Sequence, residues 1–297
     1  WRGRRAVGRM VAMIELNKAD VQAFERDGFV VVENVLNTAE IAAARARFEP
    51  LFRGEFDTGL QPDEWNWREG RDASDLTRQI CNGWKADRTV AGIVLREDIG
   101  KACATLRKWP GARINQDNVI WKPPLGKALG FHQDDSYQGW IEPNEMMTCW
   151  ITLDDTRADH GTIEYVRGSH LWPLSPPISQ FHAPDDPLTD MERAAKQAGV
   201  APQISAIEVP AGSAVFHHGR TWHGSRANAG SGPRRSLVAH CASSQARFHP
   251  TNVGPIYGRY KKAGSLEMDE SFFPILWRGD GYRTDWINQW VTDPALV

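Results

Sequence analysis

The run "RINQDNVIWK" (residues 113–122) marks the point where the sequence changes from helical to strand-like patterning. It is the first of several short runs in which apolar and polar side chains alternate, and clusters of Gly, Pro and Asp separate them. The later runs are "MMTCWITLDD" (146–155), "GTIEYVRG" (161–168), "ISAIEVPAGSAVFHH" (204–218) and "RRSLVAHCASS" (234–244). Several short strands at this spacing predict a sandwich or barrel.

Helical patterns precede these runs. Asn17 is a candidate N-cap for a helix that breaks at Gly28, and the β-branched run from Val30 to Val32 follows as a strand. A second helix is predicted from about Thr38, and residues 87–109 form a third segment of helical character. The chain is therefore predicted to be mainly β with flanking helices.

A long excursion interrupts the strand-like region. Residues 171–203 hold five prolines in their first seventeen positions and then a short helical patch, as lids and substrate walls often do. We expect residues 1–12 to be a leader or a remnant of expression, with the natural start at Met10 or Met13, and residues 13–297 to be one domain. Its parts are a helical region (13–110), a sheet core (about 111–247) and a C-terminal extension (248–297).

Composition limits the classes of partner. The 297 residues include 35 basic and 37 acidic side chains, so the net charge of -2 gives no electrostatic case for binding nucleic acid or a membrane surface. The chain has no apolar run of about 18 residues that could span a bilayer. Its four cysteines are widely spread, without metal or disulfide-scaffold spacing, which favours a reducing cytoplasm. A small-molecule substrate is the expected partner.

The motif "FHQDDSYQGW" (131–140) contains a candidate metal site. Residues two apart on an extended strand point to the same face, so His132 and Asp134 can converge on one ion. His223, at the end of a later strand-like run, completes a 2-His-1-carboxylate set typical of non-haem Fe(II). Zinc is a weaker interpretation because no H-E-x-x-H motif is present. His217 and His218 remain competitors of His223 as ligands.

A pair of arginines begins the strand-like run at residues 234–244. Arg234 shares one strand face with Ser236, Val238 and His240, so its guanidinium is predicted to point inward. A buried Arg needs a carboxylate partner, and the distal carboxylate of 2-oxoglutarate would supply one. The alternative is that Arg234 and Arg235 are both solvated at the entrance of the strand.

These motifs together resemble the phytanoyl-CoA dioxygenase family of Fe(II)/2-oxoglutarate-dependent oxygenases. The resemblance rests on "NVIWKPPLGKALGFHQDDSY", "WITLDDTRADHGTIEYVRGSH" and "VFHHGRTWHGSRANAGSGPRRSLVAHCASS", covering about residues 113 to 245. A weaker similarity lies in "FERDGFVVVENVL" near the N-terminus. The resemblance implies a double-stranded β-helix, the jelly-roll fold of cupin-like proteins.

The resemblance also implies roles for individual residues. His132, Asp134 and His223 would bind Fe(II), and Arg234 would hold the distal carboxylate of 2-oxoglutarate. Further candidates for the co-substrate pocket are Ser225, Gln133, Trp150 and Asn118. Their position beside the ligands in the sequence, and not the resemblance, makes Asp135, Tyr137 and Trp140 candidates for substrate contact. His170 is expected to be structural, and His240 a core residue or a support behind the ligands.

The implied reaction consumes O₂ and 2-oxoglutarate, releases succinate and CO₂, and hydroxylates an unactivated C–H bond of a small molecule. The carboxylate of Asp134 argues against halogenation, in which a small residue leaves room for chloride. Desaturation, epoxidation and ring closure remain open, as does a jelly-roll binding protein without catalysis. The sequence leaves the substrate unidentified, although Arg68 or Arg71 near two tryptophans could meet an anionic one.

Overall fold

A computed structural model describes residues 13–295 of the chain. The leader expected at residues 1–12 lies outside this range. The helices are α1 (Lys18–Asp27), α2 (Thr38–Arg53), α3 (Gly83–Ala86), α4 (Arg88–Val94), α5 (Glu97–Arg107), α6 (Thr189–Ala198) and α7 (Ile287–Thr292). The strands are β1 (Phe29–Val32), β2 (Glu64–Trp65), β3 (Arg78–Cys81), β4 (Gly111–Lys122), β5 (Leu129–His132), β6 (Ile141–Glu142), β7 (Met147–Thr152), β8 (Glu164–Val166), β9 (Ile204–Ala206), β10 (Ala214–His218), β11 (His223–Ser225), β12 (Arg234–Ser243), β13 (Arg247–Phe248) and β14 (Ile275–Arg278).

The strands form two main antiparallel sheets. The larger has the order β1-β10-β7-β12-β4-β3-β2, with β14 also paired to β4, and the smaller has the order β5-β11-β8-β9. Strands β6 and β13 make a separate two-stranded pair. Each strand-like run identified in the sequence contains at least one of these strands, so the prediction of a sheet-rich chain is confirmed.

The first helix begins and ends where the sequence predicts. The Asn17 side chain accepts hydrogen bonds from the backbone of Ala19 and Asp20, while the Asp20 carboxylate accepts one from the Asn17 backbone. This reciprocal capping satisfies donors at the start of α1. Gly28 ends the helix at φ +82°, a left-handed conformation that glycine adopts without steric cost, and β1 starts at the next residue.

The region expected to be helical is more mixed than the sequence indicates. The predicted third helical segment is two helices, α4 and α5, separated at Arg96, whose backbone is extended. Besides the predicted strand β1, strands β2 and β3 lie in the first 110 residues, and all three extend the larger sheet. Strands β2 and β3 are short, so they leave little periodic pattern in the sequence.

Alternation along β7 separates two cores. Trp150 packs with residues of both sheets, among them Tyr165 of β8 and Val238 of β12, so the two sheets face each other. Cys149 and Ile151, on the opposite face of β7, pack in the larger core that contains residues of the helices. Of the helices that the structure describes, none is both long and apolar enough to cross a membrane.

Two segments flank the space between the sheets. In the excursion, the Phe181 carbonyl accepts a hydrogen bond from the Gly130 backbone, which ties this loop to β5. In the C-terminal extension, Tyr257 and Phe273 pack against Trp140. The side walls of the interior are therefore made by segments outside the two main sheets.

Candidate active site

The three predicted metal ligands come together at the edge of the smaller sheet. His132 ends β5, His223 begins β11, and the two residues are direct partners across the strands. One donor atom from each of His132, Asp134 and His223 lies within 4.8 Å of the others, and all three residues are buried. Within residues 13–295 this is the one group of at least three such side chains with that spacing. Two imidazoles and one carboxylate on one side of an ion fit octahedral iron and leave positions for further ligands.

The path of the backbone between the first two ligands differs from the extended strand that the sequence predicts. Strand β5 stops at His132, Gln133 is extended, and Asp134 starts a short 3₁₀ helix. The two side chains still converge, because His132 Nε2 lies 3.4 Å from Asp134 Oδ1. The single extended residue Gln133 is therefore enough to bring the His132 and Asp134 side chains to the same side of the chain.

Hydrogen bonds orient both histidines. His132 Nδ1 lies 2.9 Å from the Gly130 carbonyl, and His223 Nδ1 lies 2.9 Å from the Thr221 carbonyl. A carbonyl accepts from Nδ1–H, which leaves Nε2 with a lone pair for the metal. Burial holds the pKa of His223 well below its usual value, so this imidazole is neutral, as a metal ligand must be.

The second oxygen of Asp134 is held from behind. Thr148 Oγ1 donates to Asp134 Oδ2 at 2.7 Å, and His217 Nε2 lies 3.0 Å from the same oxygen. Burial alone raises the pKa of this carboxyl, but His223, His240, His132 and His217 hold it well below its usual range. His217 thus supports the carboxylate, and neither it nor His218 belongs to the ligand cluster.

A chain of hydrogen bonds runs from Thr148 to the C-terminal extension. His240 Nδ1 lies 2.8 Å from Thr148 Oγ1, and Asn118 Nδ2 lies 2.9 Å from His240 Nε2. Gln116 Nε2 donates to Asn118 Oδ1 at 3.0 Å, and Tyr257 donates to Gln116 Oε1 at 2.7 Å. The expectation that His240 supports the ligands is consistent with this position. The ring of His170, the histidine predicted to be structural, lies 5.6 Å from that of His218, and His170 is not part of the metal cluster.

Two buried cations lie at the opposite end of the site. Arg234 and Lys122 are cross-strand partners on β12 and β4, and they are 3% and 0% exposed. Arg234 donates to Ser236 Oγ at 3.0 Å and to the Gly161 carbonyl at 3.2 Å, while Lys122 Nζ donates to Ser225 Oγ at 2.7 Å. Burial lowers the pKa of Arg234 to about 10 and that of Lys122 well below its usual value.

These two cations have no carboxylate partner among the residues that the structure describes, since neither appears in any ion pair of that region. Arg235 differs from them. Its guanidinium makes two hydrogen bonds to Asp154, at 3.0 and 2.7 Å, on the other face of β12. The alternative that both arginines are solvated is therefore wrong, because Arg234 is buried and Arg235 is paired.

A cavity of about 510 Å³ joins the metal cluster to Arg234 and extends toward β2 and the C-terminal extension. Of the residues predicted to line it, Ser225, Trp150, Asn118, Tyr137 and Trp140 do so. The lining residues near β2 and the C-terminal extension include the exposed Asn66, Asn252 and Pro255, which mark the opening to solvent.

Two of the predicted site residues point elsewhere. The Gln133 side chain donates to the Arg220 carbonyl at 2.7 Å and accepts from the Ser175 backbone at 2.8 Å. The second bond ties the excursion to the segment between His132 and Asp134. The Asp135 carboxylate is buried and accepts from the Met146 backbone at 2.8 Å. Neither lines the cavity, because both face away from the metal side of the chain.

Sequence reasoning missed several lining or supporting residues. Lys122 carried one signal, its position in a strand-like run before "PP", but a strand end is a common place for a solvated lysine. Glu64, Gln79 and Gln116 line the cavity from β2, β3 and β4, and Tyr257 lines it from the extension. The candidates for an anionic substrate, Arg68 and Arg71, do not line it. Arg68 stacks on Trp65 and Arg71 pairs with Asp72.

Residues 24–236 match the phytanoyl-CoA dioxygenase (PhyH) family. The chain belongs to this family. The ectoine dioxygenase of Bordetella parapertussis is 26% identical over 259 residues, covering 80% of this chain and 79% of its own. The peroxisomal phytanoyl-CoA dioxygenase of Bos taurus is 22% identical over 238 residues, covering 76% and 68%.

Solved structures of oxygenases share the fold. The non-haem α-ketoglutarate-dependent epimerase SnoN from nogalamycin biosynthesis superposes with a TM-score of 0.66 at 22% identity, covering 88% of this chain and 98% of its own. EctD from S. alaskensis with 2-oxoglutarate and 5-hydroxyectoine gives 0.63 at 16% identity, covering 90% and 93%. The predictions of family, enzyme class and cofactors are confirmed: the protein is a 2-oxoglutarate-dependent dioxygenase that uses iron.

Proposed function

We propose that the enzyme hydroxylates an unactivated C–H bond of a small-molecule metabolite and releases succinate and CO₂. Iron would be bound by His132, Asp134 and His223, whose donor atoms lie within 4.8 Å of one another. The bound metal and co-substrate supply the activation of O₂ and the oxidation. The protein's part is to fix ligand geometry, orient both substrates and exclude water.

The observation that carries this proposal is the pair of buried cations without a carboxylate. Arg234 lines the cavity, Lys122 lies beside it without lining the cavity, and burial of an unpaired charge is costly. A dicarboxylic co-substrate that reaches from the metal would place its distal carboxylate against Arg234, with Lys122 acting through the Ser225 hydroxyl. Ser225, whose Oγ already accepts from Lys122, then has its own proton free to donate to that carboxylate.

We also propose the finer architecture, a double-stranded β-helix formed by residues 13–297 as one domain. The strand orders support it. In the larger sheet β10, β7, β12 and β4 are neighbours, and in the smaller sheet β5, β11, β8 and β9 are neighbours, so consecutive strands alternate between the sheets from β4 to β12 with few exceptions. A cytoplasmic location remains a prediction; the four cysteines are free and buried.

Anaerobic addition of Fe(II) and 2-oxoglutarate tests the proposal. We expect a weak visible charge-transfer band near roughly 500 nm, as a chelate of 2-oxoglutarate on non-haem iron would produce. Candidate substrates are then screened in air by succinate release, and the product is analysed by mass. Iron-loaded protein without the band, or without succinate under any condition, would favour a binding protein.

Other outcomes at the same centre are separated by the product. A hydroxylated product gains one oxygen at a saturated carbon, whereas desaturation and ring closure remove two hydrogens, and epoxidation adds oxygen across an existing double bond. All these outcomes depend on where the substrate places its C–H bond relative to the metal. The residues that set this position lie at the outer part of the cavity.

A further inference from the structure

The charges that line the cavity are few and unevenly distributed. Apart from histidines, the charged lining residues are Asp134 at the metal, Arg234 at the co-substrate end and Glu64 near the opening. An anionic group of the substrate would find no free cation on these walls, because Arg234 is assigned to 2-oxoglutarate. The outer part of the cavity carries a single negative charge, at Glu64.

The register of the larger sheet determines where Glu64 points. Glu64 is paired with Cys81, Cys81 with Asn118, Asn118 with Val238, and Val238 with Trp150. Residues directly opposite on neighbouring strands share a face of the sheet. All five line the cavity, so they form one row across its floor with Glu64 at the outer end.

Glu64 has no cationic partner in the part of the chain that the structure describes. The neighbouring Asp63 is paired with Lys85, at 2.7 Å, so that lysine is engaged. The closest arginine in sequence, Arg68, stacks over the Trp65 ring at 3.1 Å. Glu64 is only partly exposed, which removes some of the water that would otherwise solvate its charge.

An aromatic wall stands at the same end of the cavity. The rings of Tyr257 and Trp140 are tilted by 37° to each other with their centroids 4.6 Å apart, and both residues line the cavity. Aromatic faces attract cations, and they also cover the apolar part of a ligand that bears one. A carboxylate and aromatic rings around one space are the usual surroundings of an ammonium group.

We propose that Glu64 binds a basic nitrogen of the substrate and so sets which carbon reaches the metal. This inference rests on the proposed function. The cavity extends from Glu64 to the metal cluster, so the substrate would carry its basic nitrogen at one end and the carbon to be oxidised toward the other.

Three probes of equal length and different charge test the subsite: 1-aminooctane, 1-octanol and octanoate. The rate of succinate release is measured against the concentration of each probe, with iron and 2-oxoglutarate saturating. In the wild-type protein we expect 1-aminooctane to give half-maximal succinate release at about tenfold lower concentration than 1-octanol. Octanoate should need the highest concentration of the three. Glu64→Gln should remove the advantage of the amine and leave the response to octanol unchanged.

Two further variants make the result specific. Glu69→Gln removes the same charge from an exposed position five residues away, outside the cavity, and should behave as wild type. Glu64→Lys should reverse the order, so that octanoate acts at the lowest concentration. Equal responses of the wild type to amine and alcohol, no response to any probe, or an equal loss for all three probes in Glu64→Gln would overturn the subsite.

The Fe(II)–2-oxoglutarate band distinguishes this failure from failure of the proposed function. A wild-type protein that shows the band and lacks a preference for the amine is a dioxygenase without the cation subsite. A wild-type protein that lacks the band overturns the proposed function itself. The band in each variant also reports whether its inner site has folded.

Discussion

The inner and outer ends of the cavity are built differently. The inner end lies on the central strands β4 and β12, where Arg234 lines the cavity and Lys122 lies beside it, and both residues are buried and held by hydrogen bonds. The outer end is made by the two-residue strand β2, by loops and by the C-terminal extension, and Glu64 there is partly exposed. The inner end suits chemistry shared by a family, and the outer end suits recognition that differs from one member to the next.

Loss of a metal ligand should have the largest effect on the inner end. Asp134→Ala removes the carboxylate between His132 and His223. We expect the rate of succinate formation to fall by more than about 100-fold, because loss of a ligand should exceed the effect of losing a residue that only supports a ligand. Iron content and the visible band would be measured on the purified variant. Iron retained at the wild-type level would contradict the assignment.

The adjacent carboxylate provides the matched control. Asp135→Asn keeps the acceptor for the Met146 backbone and changes no group that lines the cavity. Burial raises the pKa of Asp135 to about 7, so the neutral amide resembles its protonated form. We expect this variant to bind iron and 2-oxoglutarate as the wild type does.

The two arginines of β12 should separate co-substrate binding from stability. Arg234→Ala removes a buried cation from the co-substrate end, so we expect the Kd of 2-oxoglutarate to rise by roughly thirtyfold or more. Arg235→Ala removes a partner of Asp154 and should lower the free energy of unfolding by about 1 kcal/mol with little change in Kd. A larger Kd change in the Arg235 variant would reverse the face assigned to this strand.

Lys122 should have a smaller effect in the same titration. Lys122→Met keeps the length of the side chain and removes the hydrogen bond to Ser225 Oγ together with the second cation. We expect the Kd of 2-oxoglutarate to rise by about tenfold, because Arg234 remains to hold the carboxylate. An unchanged Kd would mean that Lys122 only supports the backbone around residues 225–226.

Stability should depend on pH through a buried carboxyl outside the cavity, without any change in co-substrate binding. Asp117 lies beneath α3, accepts from the Trp84 backbone at 3.1 Å, and has its pKa raised to about 7 by burial. Because the folded-state pKa lies above the usual 3.8, the folded protein is destabilised as pH rises from about 4 to 7, by roughly 1.4 kcal/mol per unit in the middle of that range. Denaturation followed by tryptophan fluorescence measures this slope.

Asp117→Asn should remove this contribution, so its stability should fall less steeply with pH over the same range. The contribution of Asp135 has the same sign and remains in the variant, which means that the slope decreases and does not vanish. The Kd of 2-oxoglutarate should stay at the wild-type value. An identical pH slope in both proteins would show that Asp117 ionises with an ordinary pKa.

Sequence reasoning succeeded at the inner end because regular strands carry readable patterns. Alternation along residues 234–240 identified the inward face of Arg234, and the spacing of His132 and Asp134 predicted two members of the buried cluster even though the second lies in a 3₁₀ turn. Sequence reasoning failed at residues that only tertiary contacts bring to the site. Glu64 lies on a strand of two residues, and Tyr257 comes from an extension more than a hundred residues from the ligand motif, so no local pattern connects them to the site.

The position of the opening determines the order in which molecules enter and leave. Arg234 and Ser225 are buried lining residues of the cavity, whereas the lining residues Asn66 and Asn252 are exposed. A substrate bound at the outer end stands between solvent and the co-substrate position. Turnover should therefore follow a compulsory sequence, with 2-oxoglutarate binding first and succinate leaving last. An unreactive substrate analogue should then inhibit uncompetitively with respect to 2-oxoglutarate. Succinate should inhibit competitively with respect to 2-oxoglutarate.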